Sequence, residues 1–330
     1  MNAMLPGDAT FVALSGGVGG AKLSLGLAEV LGARLSVVVN TGDDFEHLGL
    51  AISPDVDTAL YTLADVVNPE TGWGRRDETW TFMRALEGLG GPAWFKLGDG
   101  DLATHAARTA RLRAGETPTA VCAHLAGRLG IAARVLPMAD TAVRTVLETD
   151  AGTLAFQAYF VREQCRPAVR SIRFEGADAA RPTPQVERAL AAPTLRGIVI
   201  CPSNPWLSVD PILAVPGLRA ALRASGAPVI AVSPIVAGKA LKGPAAKIMG
   251  ELGLQADAPA IAGHYGDLLD GFVLDTADAG LAPEIDLPVL VTNTIMRTLD
   301  DKVALARECL AFCARLAHKR PVEQRAGTAR

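Results

Sequence analysis

The chain has 330 residues, 49% hydrophobic and 20% charged, with a formal net charge of −3. That length fits one large α/β domain or two modest ones, and the charge balance excludes the basic footprint of a nucleic-acid or polyanion binder. Five cysteines without a C-x-x-C pair, no leader-like start and no apolar run near the roughly 20 residues of a membrane span predict a cytoplasmic protein with reduced thiols.

Phe11 to Leu14 is a short apolar run that ends in Ser15-Gly16-Gly17-Val18-Gly19-Gly20 and passes through Ala21 and Lys22 into an apolar periodic segment reaching Leu31. That order predicts strand, glycine loop and helix. The glycines let the main chain approach a ligand, and the free N–H groups of a first helical turn favour an anion. Gly16, Gly17, Gly19, Gly20 and Lys22 therefore form a candidate phosphate site. Neither standard fingerprint fits in full: Lys22 lies between Ala21 and Leu23, and it takes the place of the third glycine of G-x-G-x-x-G. A glycine turn that only lets the helix pack closely on its strand is the plainer alternative.

Leu35 to Val39 reads as a second strand, buried on both faces of a parallel sheet. It delivers Asn40-Thr41-Gly42-Asp43-Asp44, and Asp55 and Asp57 follow. Carboxylates at the carboxyl edge of a parallel sheet, beside a phosphate loop, suit a magnesium ion bridging protein and phosphate. Asp43 and Asp55 are the first choices as ligands, with Asp44 and Asp57 as alternates. Turn or capping roles are the alternative for such aspartates.

Thr58 to Ala64 reads as helix. The segment from Asn68 to Trp80, NPETGWGRRDETW, is polar and glycine-punctuated yet carries two tryptophans, two arginines and two acids beyond Asn68-Pro69-Glu70. Trp73 and Trp80 can stack on a flat ring, and Arg75 or Arg76 can hold a phosphate, against the alternative of a surface loop with a structural tryptophan. Leu97 to His105 opens a helix with Asp101 as its N-cap, continuing from Ala103 to Leu112. Asp99 and His105 are second-rank acid–base candidates there. After Gly115 to Thr119 a further helix ends near Leu129.

Residues 133 to 181 change character. Arg134 to Leu136, Thr145 to Glu148, Leu154 to Val161 and Val169 to Phe174 read as strands, predicting a small antiparallel-rich insertion that forms a lid or an oligomer contact. The alternating rhythm resumes after Pro182, with helix from Val186 to Leu190 and a buried strand from Gly197 to Cys201 that delivers Ser203 and Asn204. Helix follows from Pro211 to Ala224, then a buried strand from Val229 to Ser233 leading to Lys239 and Lys242. Ala258 to Tyr265 reads as helix, Gly271 to Leu274 and Pro288 to Thr292 as strands, and Leu299 to Leu316 as the closing helix. Asn293, after the last strand, can recognise a base or ribose.

These elements predict a doubly wound, mostly parallel Rossmann-like α/β sheet over residues 10–132 and 182–317, with the smaller insertion at 133–181 and a disordered tail at 318–330. Three strand ends carrying Gly, Ser, Asn and Lys then converge on one edge.

SGGVGGAK, VVNTGDD, PDVDTALYTLADVVNPETGWGRRDETW, LGDGDLATH, CPSNP and VSPIVAGKALKGPAAK occur in that order between about residues 11 and 297. Together they resemble the 2-phospho-L-lactate transferase family, which builds the deazaflavin coenzyme F-420. The resemblance implies transfer of a phosphorylated hydroxy-acid group from a GDP-activated donor to the terminal ribityl hydroxyl of 7,8-didemethyl-8-hydroxy-5-deazariboflavin, with release of GMP and with magnesium as cofactor. On that view Gly16, Gly17, Gly19, Gly20, Lys22, Ser203, Asn204, Ser233, Lys239 and Lys242 cradle the guanosine diphosphate. Asp43, Asp44, Trp73, Arg76, Glu78 and Trp80 meet the deazaflavin, and Asp43 serves as base. A homodimer is the default assembly.

Two other readings compete. A relative resembling the family in the glycine loop and NTGDD binds a nucleotide sugar in regulation, although it has no need of GWGRRDETW. A nicotinamide oxidoreductase is disfavoured by Lys22 and by an acidic run lying in a loop beyond Asn40.

Overall fold

The computed structural model describes residues 7–319. Its centre is a sheet of seven parallel strands: β1 Thr10–Ser15, β2 Leu35–Val39, β3 Arg134–Pro137, β4 Leu195–Ile200, β5 Val229–Val232, β6 Gly271–Asp275 and β7 Val289–Thr292. Their order across the sheet is β7-β6-β5-β4-β1-β2-β3, with every neighbouring pair parallel. The winding reverses between β1 and β4, so their carboxyl ends flank the crevice where open α/β sheets bind ligands.

Helices cover both faces because the inner strands are apolar on both. In β1, Phe11 and Ala13 point to one side and Val12 and Leu14 to the other. The first face packs on Leu23 and Leu27 of α1, Gly17–Leu31, and on Leu305, Cys309 and Phe312 of the helix Leu299–Lys319. These two helices touch closely: a Cβ on Gly26 would stand 2.1 Å from the Lys302 carbonyl oxygen. The opposite face carries Val186, Leu222 and Ile261 from the helices Pro184–Leu190, Leu218–Ala224 and Ala258–Tyr265.

Several boundaries move for identifiable reasons. β3, expected within the insertion, pairs with β2 and extends the main sheet, its residues Val135 to Pro137 being buried. The remainder of the insertion is a separate antiparallel sheet of Arg144–Thr149, Gly152–Ala155 and Val169–Glu175. The expected strand Leu154 to Val161 stops at Ala155, and Ala158–Arg162 forms a wide helical turn. That turn follows the stacking of Phe156 on Phe160, 5.3 Å between centroids, an i,i+4 pair that only a helical path brings together.

The expected helix Pro211 to Ala224 breaks into Asp210–Leu213 and Leu218–Ala224 at Gly217, whose φ of 86° is left-handed. The helix Leu299–Lys319 runs past Leu316 into the expected tail; residues 320–330 lie outside the described residues. Among the described residues, no helix is long and apolar enough to cross a membrane.

Candidate active site

The site is built where β1 and β2 end together. The N–H of Asn40 donates to the Ser15 carbonyl across 3.0 Å, binding the glycine turn to the acid turn. The Asn40 side chain is fully buried and works in three directions. Its Nδ2 donates to Asp55 Oδ2 (2.9 Å) and to the Leu207 carbonyl (3.3 Å), while its Oδ1 accepts from the Gly42 N–H (2.7 Å).

Asp55 and Asp57 lie in the first turn of α2, Pro54–Leu63, and not in a loop, because Pro54 starts the helix before them. Asp55 faces the glycine turn and accepts the Gly17 N–H at 2.8 Å. Asp43 is 5% exposed and its Oδ1 is buried without a hydrogen-bond partner. Burial pushes the Asp43 carboxyl well above its ordinary range, and the Asp55 charge pushes it further; burial also raises Asp55 to about 6. Two buried carboxylates that oppose each other's ionisation, one with an orphaned oxygen, are the donor set that a hard divalent cation relieves.

Asp44 turns another way. Ser53 Oγ donates to its Oδ2 at 2.9 Å, its Oδ1 is buried and unpartnered, and burial raises it to about 7. Asp57, expected as an alternate metal ligand, is instead held by Arg108 of the helix Asp99–Arg113 through both guanidinium nitrogens. His105 and Asp101 adjoin this pair, with His105 Nδ1 3.6 Å from Asp57 and Nε2 3.2 Å from Asp101. Asp57, Asp101 and His105 come close enough to share an ion. The Arg108 cation bonded among them already supplies the positive charge.

The glycines serve two roles. Gly17 begins α1 with φ of 64°, a left-handed conformation that favours glycine. Gly19 and Gly20 lie within the first turn, where a Cβ would stand 2.2 Å from the Pro202 carbonyl oxygen and 2.5 Å from Ser203 Oγ. The close-packing alternative thus holds for these two, and what they pack against is the loop after β4. Ser203 accepts the Gly16 N–H at 3.1 Å. Asn204 Oδ1 accepts the N–H groups of Trp206 and Leu207, leaving its buried Nδ2 unpartnered.

Above α1 two loops meet. A Cβ on Gly72 would touch Val18 of α1 at 2.6 Å, and Lys242 Nζ donates to the Thr71 carbonyl at 3.3 Å. Lys22 Nζ donates to the Met296 carbonyl (3.2 Å), and burial lowers its ammonium pKa, with the charges of Lys302 and Lys242 adding to the effect. Lys22, Lys242 and Lys302 are therefore near neighbours over the first turns of α1. Lys302 has no sequence signal of its own, since only the packing of the helix Leu299–Lys319 on α1 brings it here.

The other expected residues divide between structural contacts and exposed positions. Ser233 Oγ closes its own turn with the Ile235 N–H and carbonyl, and Lys239 stands in solvent on the strand Lys239–Ala240. Glu78 accepts the N–H groups of Gly100 and Asp101, both at 2.7 Å, and so caps the helix Asp99–Arg113 in the place assigned to Asp101. Asp99 accepts from Thr81 and Phe82 N–H, capping the helix Thr81–Gly88. Arg76 pairs with Asp65 at the surface, and Arg75 lies over the Tyr61 ring at 5.4 Å. With Val66 and Thr79 these arginines line a cleft of about 340 Å³. Trp73 and Trp80 are 53% and 39% exposed, leaving aromatic faces open to a ligand. Asn293 is exposed and bonds the Ile295 N–H.

The protein-family model described as 2-phospho-L-lactate transferase CofD matches residues 11–286. The chain belongs to that family. A phosphoenolpyruvate transferase of Streptomyces griseus is 41% identical over 91% of this chain and 96% of its own length. A 2-phospho-L-lactate transferase of Methanopyrus kandleri is also 41% identical, over 92% of this chain and 97% of its own. Among solved structures, a UPF0052 family protein from Bacillus halodurans shares the fold, with a TM-score of 0.60, 16% identity and coverage of 92% of this chain and 99% of that one. As a member of the 2-phospho-L-lactate transferase family, this protein is a transferase built on a parallel α/β sheet.

Proposed function

We propose that the enzyme moves a phosphorylated hydroxy-acid group from a GDP-activated donor to the terminal ribityl hydroxyl of 7,8-didemethyl-8-hydroxy-5-deazariboflavin in coenzyme F-420 biosynthesis. The observation that carries this reading is the buried Asp43 and Asp55 pair held against Gly17 at the switch point of the sheet. The acceptor oxygen attacks the phosphorus bearing the acid, the bond from that phosphorus to the bridging oxygen breaks, and GMP leaves with the bridging oxygen. The hydroxyl proton passes to the Asp43 carboxylate, whose Oδ1 has no hydrogen-bond partner in the protein.

Asp43 and Asp55 would hold magnesium, which supplies charge neutralisation to the transferring phosphoryl group. Lys22, Lys242 and Lys302 orient the donor's phosphates, and the unpartnered Asn204 Nδ2 offers a further donor. The exposed Trp73 and Trp80 faces suit the flat deazaflavin ring. Five free cysteines support a cytoplasmic location, and a homodimer is the assembly we assign. Relatives named for phosphoenolpyruvate and for 2-phospho-L-lactate are equally similar, so both donors, and phosphoglyceryl as a third, belong in the test.

A magnesium-dependent assay with the deazaflavin and each guanylated donor, read by mass spectrometry, tests the reading. Product from one donor names the substrate. No product from any, with folded protein that fails to bind the deazaflavin, would return the chain to nucleotide-binding regulation.

A further inference from the structure

The small antiparallel sheet and the chain that continues it take no part in the reaction outlined above, yet they grip the turn that carries Asp43. Three consecutive carbonyls of that turn accept hydrogen bonds from this insertion. Arg144 Nη1 donates to the Thr41 carbonyl (3.5 Å), the Thr145 N–H to the Gly42 carbonyl (2.8 Å) and Gln157 Nε2 to the Asp43 carbonyl (3.2 Å). The approach is close, since a Cβ on Gly42 would stand 2.6 Å from Thr145 Oγ1.

Of the three donors only Gln157 reaches the peptide of the acid itself. Its side chain is buried, and a carbonyl acceptor fixes which end of the amide faces Asp43, because only the NH2 group can donate. The anchor behind it is firm. Phe156 before it and Tyr159 after it are buried in the core that also holds Val12 and Leu14 of β1. Further along, Glu251 accepts the Val169 N–H (3.1 Å) and Lys247 Nζ donates to the Pro167 carbonyl (2.9 Å), fastening the insertion to the helix Ala245–Glu251.

Asp43 needs such a hold. Its Oδ1 has no partner, and Asp55 and Asp44 set like charges beside it, so the carboxylates repel one another when they ionise. The core fixes the start of the turn, through the Asn40 N–H on Ser15 and the Gly42 N–H on Asn40 Oδ1. A turn free to yield beyond that point would let the Asp43 carboxylate drift from the acceptor hydroxyl, and a misplacement of about 1 Å can cost about 10²-fold in rate.

We propose that the insertion is a clamp on the acid turn and that Gln157 is a positioning residue, whose amide fixes the Asp43 peptide and through it the place of the Asp43 carboxylate. This rests on the transferase reading above. Gln157 acts through Asp43, so it governs the rate of transfer and leaves the binding of both substrates unchanged.

The test compares wild type, Gln157→Met and Gln157→His with the deazaflavin and the donor that the assay above identifies. Methionine keeps the length of the side chain without the donor, whereas histidine presents a ring N–H at nearly the reach of the glutamine amide. Gln157→Met should lower kcat by about tenfold to a hundredfold while KM for each substrate stays within about twofold, the pattern of a lost contribution to the transition state alone. Gln157→His should recover part of the loss, with thermal denaturation confirming that both variants fold. Should Gln157→Met not fold, Gln157→Asn, which shortens the reach by one methylene, takes its place. A wild-type kcat in the variant lacking the donor would overturn the proposal and leave the transferase reading standing. A loss shared between kcat and KM, or one that histidine does not relieve, would also overturn it, reducing Gln157 to a support of the fold. No product from wild type with any donor would end the transferase reading, and the positioning role with it, before any variant is compared.

Discussion

The Gly17 N–H donates to the Asp55 carboxylate across 2.8 Å, so one amide of the glycine turn is already committed to the acid that stands beside Asp43. Glycine loop and acid pair are thus one unit, and the two acids differ in their support. Asp55 holds two hydrogen bonds, from Gly17 and Asn40, whereas Asp43 keeps an orphaned oxygen.

Asp43→Asn should therefore leave folding intact, with a melting temperature equal to or above wild type, because it removes a buried charge that burial and Asp55 both oppose. Turnover should fall by about 10²-fold or more, as expected when a general base is removed. Thermal denaturation and the mass-spectrometric assay check the two halves, and a fully active variant would end the assignment. Asp55→Ala, by contrast, should also destabilise by about 1–3 kcal/mol, because it strands the Gly17 and Asn40 donors.

Stability should depend on pH and on divalent metal together. Burial leads the causes that raise Asp43, Asp55 (to about 6) and Asp44 (to about 7). A carboxyl whose folded pKa is raised costs nothing below its unfolded value of about 4, and the cost is complete above the folded value. Without metal the melting temperature should thus decline as pH rises from about 4 to about 7. Magnesium should restore it, by more at pH 8 than at pH 5.5. A flat metal-free profile with no magnesium shift at either pH would contradict the placement of the ion.

Gly19→Ala should destabilise the protein by about 1–3 kcal/mol in urea denaturation, since the new Cβ meets a backbone oxygen that cannot rotate away. Gly17→Ala meets no atom within 4 Å, so its cost comes from the left-handed φ alone, about 1 kcal/mol. Equal effects at the two positions would show that the loop after β4 does not set the packing.

Arg108→Met should cost about 3–5 kcal/mol because it abandons the buried Asp57 carboxylate. Combining it with Asp57→Leu should recover most of the loss, whereas additive losses in the double variant would mean that the pair is not coupled.

Lys22→Met should weaken guanosine diphosphate binding by about tenfold, and the remaining affinity should vary less with salt, as measured by calorimetry at two ionic strengths. Unchanged affinity would place the diphosphate away from α1.

The strands ending at Ser15 and Val39 could be read from the chain because unbroken apolar runs between glycine and aspartate turns have few other solutions. Topology predicts convergence of the loops after β1, β4 and β5; those after β1 and β4 meet through Gly16, Gly19 and Gly20, whereas Ser233 after β5 closes its own turn. Arg108 could not be read, because its role exists only through Asp57, 51 residues away, and Lys302 arrives from the far end of the chain. Glu78, assigned to the deazaflavin by the resemblance, also accepts the N–H groups of Gly100 and Asp101, a capping contact that its position 22 residues before Gly100 does not reveal. The wide helical turn at Ala158–Arg162 escaped a strand-like composition because the aromatic pair Phe156 and Phe160 acts only once the backbone curls.

The contact of Gly26 with the Lys302 carbonyl also sets an order of events during synthesis. The glycine turn leaves the ribosome well before the helix that shields α1 and supplies the third lysine, because residues 32–298 lie between them. At a translation rate of about 5–20 residues per second, the apolar side of α1 waits many seconds for its cover. For that interval the packing of α1 against the helix Leu299–Lys319 is unmade, so the contact of Gly26 with Lys302 belongs to the last stage of folding.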